Sequence, residues 1–79
     1  MPANYEVVAI SSHRKLLGQA IRKHRKKANL TQERLGELAQ LNPKYIGEVE
    51  RMEKTISVDA LVRIAKAIGV PVRALVRDF

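Results

Sequence analysis

The segment from Thr31 to Arg51 constrains the fold of this 79-residue chain more than any other. It contains two signals for a helix start, which are Thr31 before one apolar pattern and Asn42 followed by Pro43 before the next. Thr and Asn side chains cap the free N–H groups at a helix start. Pro fits the first helical position because an N–H there would have no hydrogen-bond partner within the helix, so its absence costs nothing. Only residues 40–42 separate the two patterns. Two short helices joined by so short a turn must cross steeply.

Apolar and small residues occupy the positions that such a crossing needs. The inward positions of the two helices and their turn are Leu35, Leu38, Ala39, Leu41, Ile46 and Val49. Gly36 lies where the first helix of the pair meets the backbone of the second. Glycine in a free helix costs about 1 kcal/mol relative to Ala, so close packing is the better explanation for it. These features together predict a closely packed pair of helices.

Further helices are predicted on both sides of this pair. Ser11 or Ser12 is expected to cap a first helix, Ser57 caps a fourth that Gly69 ends, and Pro71 opens a short fifth. The inward positions are Leu17, Ile21 and Ala28 on the first helix and Leu61, Ile64, Ala65 and Ile68 on the fourth. No strand signal of comparable quality follows residue 10. The predicted fold class is all-α, a compact bundle of five helices.

The start of the chain is set apart from this bundle. We assign residues 1–11 to an N-terminal arm and residues 12–79 to the folded domain. The segment Tyr5–Ile10 is β-leaning and carries no helical period. A flexible arm, a strand that pairs with a second subunit and a clamp over the core remain open as interpretations.

The charge balance indicates the kind of partner. Fifteen Lys and Arg residues against eight Asp and Glu give a net charge of +7, with most of the asymmetry in Arg22–Lys27. Such an excess favours a polyanion, most simply nucleic acid, over the alternative of an anionic membrane surface. The hydrophobic fraction of 46% is too high for a disordered polybasic tail.

Enzymatic chemistry has little support in this sequence. The chain has no Cys, its acidic residues form no evident pair for acid–base chemistry, and its four glycines form no phosphate-binding loop. His13 and His24 have no third ligand nearby, so we predict no metal site. We also predict no catalytic residue and no cofactor. A signal peptide and a membrane-length apolar run are also absent. We expect a cytoplasmic protein with no evident small-molecule effector.

Four stretches of the chain resemble the helix-turn-helix family of phage repressors and Cro proteins, also called the XRE family. They are LGQAIRKHR (17–25), LTQERLGELA (30–39), YIGEVER (45–51) and LVRIAKAIGV (61–70). The third stretch, with Lys54–Ser57 after it, is also similar to the controller proteins of restriction–modification systems. The resemblance implies a lambda repressor-like domain that binds operator DNA, usually as a symmetric dimer, and regulates transcription. Gln40 and Met52 depart from the pattern, because the family has glycine at both positions.

The third predicted helix carries the candidate residues for reading bases. Helical spacing puts Pro43, Lys44, Gly47, Glu48 and Arg51 on the side away from the inward residues. We expect Lys44 to donate to guanine, Glu48 to accept from cytosine N4 and Pro43 to contact a thymine methyl group. Gly47 would let the helix sit closer to the bases.

A second set of residues is expected to hold phosphates around that helix. Gln32 matches the family position that grips the DNA backbone, and the helix starts at Thr31 and Asn42 direct N–H groups the same way. The other phosphate-contacting candidates are Tyr45, Arg51 and Lys54.

Other candidate residues have structural roles. The resemblance pairs Arg25 with Glu50 in a largely buried salt bridge between the first and third helices. For a homodimer, we expect the fifth helix to supply the dimer surface, formed by Val72, Leu75, Val76 and Phe79. A two-fold dimer would read a pseudo-palindrome with half-sites about one helical turn, ~10 bp, apart.

The sequence therefore favours a DNA-binding regulator of transcription, with a controller protein as one subtype. The alternative is an antitoxin-type interaction protein that masks a protein partner and autoregulates through the same domain. A basic amphipathic membrane binder is disfavoured by the folded-domain pattern and the absence of Trp.

Overall fold

The structure is a computed structural model that describes the backbone of residues 3–77 and the side chains of residues 13–77. Within this range it consists of five helices and no strand. They are α1 (Ala3–Lys27), α2 (Gln32–Ala39), α3 (Pro43–Glu50), α4 (Val58–Ile68) and α5 (Val72–Val76). The predicted all-α, five-helix architecture is confirmed. No helix of the described part is both long enough and apolar enough to cross a membrane.

Three of the predicted caps define where helices start. The side-chain oxygen of each capping residue accepts a hydrogen bond from a backbone N–H two or three residues further on, at 2.9 Å for Thr31, 2.9 Å for Asn42 and 3.1 Å for Ser57. Pro43 follows Asn42 at the first position of α3, and Gly69 ends α4 with a φ of 90°. The start of the third helix, on which the functional prediction depends, is therefore set by local chemistry.

The core takes one fully buried side chain from each helix. These residues are Ile21, Leu35, Ile46, Ile64 and Leu75. Burying an aliphatic side chain of this size contributes about 1.5–3 kcal/mol. A core shared in this way fixes α3 against α1 and α2, so α3 is held as a rigid element on the surface.

Two glycines permit the close approach of backbones around α3. A Cβ at Gly36 would lie 2.6 Å from the carbonyl oxygen of Leu41, in the turn before α3. This confirms that close packing explains that glycine. Gly18 has the same role at the other end, because a Cβ there would lie 2.7 Å from the carbonyl oxygen of Val49. Gly18 was not among the residues predicted from the sequence.

The turns at both ends of α3 use left-handed backbone conformations without glycine. Gln40 has a φ of 57° and Met52 a φ of 67°. These are the two positions at which the resemblance leads us to expect glycine. Both turns therefore adopt a conformation that glycine favours, although a side chain in this region costs of order 1–3 kcal/mol.

Several expectations about α1 and α2 are wrong. Because α1 begins at Ala3, Ser11 and Ser12 lie inside the helix and neither caps its start. The backbone of Tyr5–Ile10 is helical, so a β-strand is not formed there. Ala28 follows the end of α1 and is exposed, and Leu38 is 44% exposed instead of inward. The division of the chain after residue 11 stays a prediction, since the side chains of residues 1–12 lie outside those described.

Candidate nucleic-acid interface

Helix α3 has one side in the core and the other in solvent. Ile46 and Val49 are buried, whereas Lys44 is exposed and Glu48 and Pro43 are half-buried. Lys44 lies on the solvent side, as the helical spacing predicts. Pro43 instead lies against α2, because its Cγ would be 3.1 Å from a Cβ at Gly36. A short, rigid helix with an open polar side is the element that proteins of many folds insert into the major groove of DNA.

Gly47 does not present an open surface, and the expectation that it does is wrong. It is buried, because two polar side chains cover it. A Cβ at Gly47 would lie 2.9 Å from Nη1 of Arg51 and 3.3 Å from Oε1 of Gln32. Glycine at this position thus makes room for Arg51 and Gln32.

The predicted salt bridge between Arg25 and Glu50 is present and nearly inaccessible to solvent. Nε of Arg25 donates to Oε2 of Glu50 at 2.6 Å and Nη2 to Oε1 at 3.0 Å, with side-chain exposures of 10% and 2%. Nη1 of Arg25 donates to the carbonyl oxygen of Leu30 at 2.8 Å. The hydrogen bonds from Arg25 to Glu50 raise the pKa of the guanidinium above its ordinary value. The pair links α1 to the end of α3.

Gln32 is held by the same carboxylate. Its Nε2 donates to Oε1 of Glu50 at 3.2 Å, across the gap between the start of α2 and the end of α3. An amide nitrogen has two hydrogens, so the second remains for another acceptor. The salt bridge therefore orients the side chain that we predict to grip a phosphate.

An open cleft separates the starts of α2 and α3. It is lined by Thr31, Gln32, Glu33, Pro43 and Lys44, together with Arg25. The capping oxygens of Thr31, which lines the cleft, and of Asn42, which precedes Pro43, act as acceptors. The hydroxyl of Thr31 and the amide nitrogen of Asn42 keep their own hydrogens for donation. Both helix starts carry partial positive charge, which suits an anion despite the carboxylate of Glu33.

The far end of α3 brings Arg51 together with a residue that the sequence analysis missed. Nε of Arg51 donates to Oε2 of Glu53 at 3.0 Å and Nη2 to Oε1 at 3.2 Å. Both side chains are more than half exposed. The hydrogen bonding raises the pKa of Arg51 and lowers that of Glu53. No spacing rule pairs these residues, because Glu53 lies in the loop after the helix.

The two remaining phosphate candidates lie near the same loop. The hydroxyl of Tyr45 donates to the carbonyl oxygen of Thr55 at 3.3 Å, and its ring packs against the core. Lys54 is exposed at the rim of a mainly apolar cavity that Leu17, Val49 and Ile56 also line. The structure thus places Tyr45 as a support of the loop and Lys54 as an exposed cation on it.

The predicted dimer surface is only partly available. Leu75 is 2% exposed and belongs to the core of the domain, so its assignment to a dimer surface is wrong. Val72 and Val76 are half-buried against the same core. Phe79 lies outside the described residues. Among the described residues, no group of three His, Cys, Asp or Glu side chains could hold a metal ion.

This fold and this surface define a small DNA-binding protein of the helix-turn-helix class. The chain belongs to the helix-turn-helix family, whose profile matches residues 21–75. Control protein C.SmaI from Serratia marcescens is 37% identical over 62 residues, which are 78% of this chain and 74% of that protein. Control protein C.BamHI from Bacillus amyloliquefaciens is 39% identical over 67 residues, which are 84% of this chain and 82% of that protein. The resemblance stated from the sequence is confirmed.

A solved structure shares the architecture. The restriction–modification controller protein C.AhdI from Aeromonas hydrophila superposes with a TM-score of 0.79 at 31% identity, covering 81% of this chain and 97% of that one. The relatives and the fold together make this chain a DNA-binding regulator of transcription.

Proposed function

We propose that this regulator binds double-stranded DNA as a homodimer and reads a pseudo-palindromic operator through α3. The observation that carries the proposal is the division of α3 into two sides. Ile46 and Val49 hold the helix in the core, while Lys44 is exposed and Glu48 is half-buried. A docked helix of this kind presents donors and acceptors to base edges. Because it is already folded, little conformational entropy is lost when it binds.

Base recognition is assigned to Pro43, Lys44 and Glu48 of α3. Lys44 donates to guanine O6 or N7 and Glu48 accepts from cytosine N4, each contact discriminating against a wrong base by about 1–3 kcal/mol. Pro43 contacts a thymine methyl group. A carboxylate near DNA is repelled by phosphates, so the position of Glu48 on this side favours a specific contact with a base.

Phosphate contacts are assigned to the cleft between α2 and α3 and to the loop after α3. Gln32, oriented by Glu50, donates its free amide hydrogen, and the helix starts at Thr31 and Asn42 add donors. Lys54 supplies a charge on the other side of α3, and Tyr45 holds the loop that carries it. Such contacts position the protein and make binding dependent on salt.

The dimer is assigned to α5 and the residues after it. Val72, Val76 and Phe79 remain as candidate contacts once Leu75 is taken into the core. The names of the similar proteins support regulation of a restriction–modification operon. No feature of the described residues favours the antitoxin alternative. Bacterial operators lie in the cytoplasm, and we place the protein there.

Selection of binding sites from random duplexes tests this function. The expected result is one enriched pseudo-palindrome with half-sites about one helical turn, ~10 bp, apart. Lys44→Ala and Glu48→Ala should each relax the preference at one half-site position. The matched control is Lys66→Ala, which removes an exposed charge from α4. Failure to enrich any sequence would contradict sequence-specific binding.

A further inference from the structure

We propose that Glu53 is a positioning residue for DNA recognition, which holds Arg51 so that its guanidinium contacts a guanine. The proposal rests on the function proposed above and adds a specificity-determining contact at the end of α3. It changes the role expected for Arg51 from a phosphate contact to a base contact.

The guanidinium of Arg51 lies beside α3, although the residue itself follows the end of the helix. Arg51 follows the last residue of α3, where its backbone alone would place it at the edge of the interface. Its side chain turns back along the helix, and its Nη1 would lie 2.9 Å from a Cβ at Gly47. The charged group therefore lies one helical turn back, over Gly47, which the side chain of Gln32 on α2 also covers. The Arg51 side chain is more than half exposed there.

The pairing with Glu53 leaves one edge of the Arg51 guanidinium available for a base. The carboxylate accepts from Nε and Nη2, at 3.0 and 3.2 Å, and so occupies one edge of the planar guanidinium. The hydrogens of Nη1 and the second hydrogen of Nη2 form the other edge. Two parallel donors of this kind match O6 and N7 of guanine in the major groove. The Arg side chain has much rotational freedom. A carboxylate that fixes the plane of the guanidinium before binding therefore reduces the conformational entropy lost when DNA binds.

Electrostatics alone gives the opposite expectation for Glu53. A carboxylate beside the DNA repels phosphates, so its removal should strengthen binding if it had no other role. A positioning role predicts weaker binding and weaker base preference after the same change. The sign of the effect therefore separates the two.

A double-mutant cycle measures this sign on the selected duplex, at low salt so that weak variants still bind. The four proteins are the full chain, Glu53→Ala, Arg51→Ala and the double variant. We expect Glu53→Ala to weaken binding about two- to fivefold when Arg51 is present, the size of effect typical of an exposed ion pair. In the Arg51→Ala background the same change should leave binding unchanged or strengthen it. Glu53→Gln, which keeps one acceptor oxygen, should give an intermediate loss.

Base substitution locates the contact. Each G·C pair of the half-site is replaced in turn by A·T, and the loss of affinity is compared among the four proteins. We expect one position at which the loss is large for the full chain, smaller for Glu53→Ala and absent for Arg51→Ala. Glu37→Ala is the matched control, since it removes an exposed carboxylate paired with Arg34 at 2.8 Å. It should leave the pattern unchanged, and all variants should melt as the full chain does.

Two outcomes overturn the proposal. Equal or tighter binding of Glu53→Ala in the presence of Arg51 would show that Glu53 only repels DNA or competes for the guanidinium. An unchanged base profile would show that Arg51 reads no base through this contact. Both failures leave the selected operator intact, whereas failure of the proposed function would leave the full chain without a selected operator.

Discussion

Arg25 on α1 and Glu50 at the end of α3 form a buried ion pair with two hydrogen bonds. The relationship matters for function because the same carboxylate also accepts from Gln32. One pair therefore fixes α3 against α1 and orients a side chain at the proposed DNA surface. Stability and binding are coupled at this point of the fold.

The first prediction separates these two effects. Glu50→Ala leaves the guanidinium of Arg25 buried without a partner, so we expect a loss of about 3–5 kcal/mol in the free energy of unfolding. Replacing both residues together, as Arg25→Met with Glu50→Leu, should recover most of that loss because no charge remains unpaired. Urea denaturation measures both. A double variant no more stable than Glu50→Ala would contradict the explanation.

DNA binding should not recover in that double variant. Gln32 loses its orienting acceptor when Glu50 becomes Leu, so we expect affinity for the operator to stay reduced although the domain is folded. Full recovery of both stability and affinity would show that Glu50 acts on the fold alone.

The second prediction concerns the backbone strain at the turn before α3. Gln40→Gly removes a side chain from a left-handed conformation, with a φ of 57°. We expect the free energy of unfolding to rise by about 1 kcal/mol, the lower end of the cost of such a residue, because glycine also gains freedom in the unfolded chain. The reverse change, Gly69→Ala, should destabilise, since its φ is 90° and, among the described residues other than its chain neighbours, no atom lies within 4 Å of the added Cβ to pack against it. Thermal melting of the two variants checks both signs, and shifts in the same direction would contradict the account.

The fold was predictable from short-range signals, and its failures have physical reasons. Thr31, Asn42 and Ser57 act through atoms two or three residues away, so their capping could be inferred from the sequence. Leu38 fits the apolar period of α2, but that period does not show how much of the helix surface the rest of the domain buries. Ser11 is a residue type that often caps a helix, but here α1 extends past it to Ala3.

The candidate site was predictable in outline and not in its side-chain contacts. The outward side of α3 follows from helical spacing alone. The burial of Gly47 depends on where two long side chains, Gln32 and Arg51, come to rest. The Arg51–Glu53 pair joins a helix end to a loop, where no periodic rule applies.

The third prediction tests the corrected position of Leu75. As a core residue with 2% exposure, it should lose about 2–5 kcal/mol of stability on change to Ala. Val76→Asp instead places a charge on a half-buried surface and should weaken the proposed dimer. Chemical denaturation and sedimentation measure the two properties. A stable Leu75→Ala protein that becomes monomeric would restore Leu75 to the dimer surface.

The fourth prediction concerns the titration of Glu53. Its pKa lies below the ordinary value because Arg51 donates hydrogen bonds to its carboxylate. A carboxyl group with a lowered pKa contributes stability that is present above its unfolded pKa and is lost as the pH falls through its folded pKa. The contribution to folding is small here, since both side chains are exposed.

The pKa of Glu53 itself is the more sensitive quantity to measure. Measured by the NMR shift of the side-chain carboxyl carbon, it should rise towards the ordinary value in Arg51→Ala and stay low in Arg34→Ala, which removes a guanidinium paired elsewhere with Glu37. An equal pKa in all three proteins would mean that Arg51 and Glu53 do not pair in solution, and the role of Glu53 in placing the guanidinium over Gly47 would be lost with it.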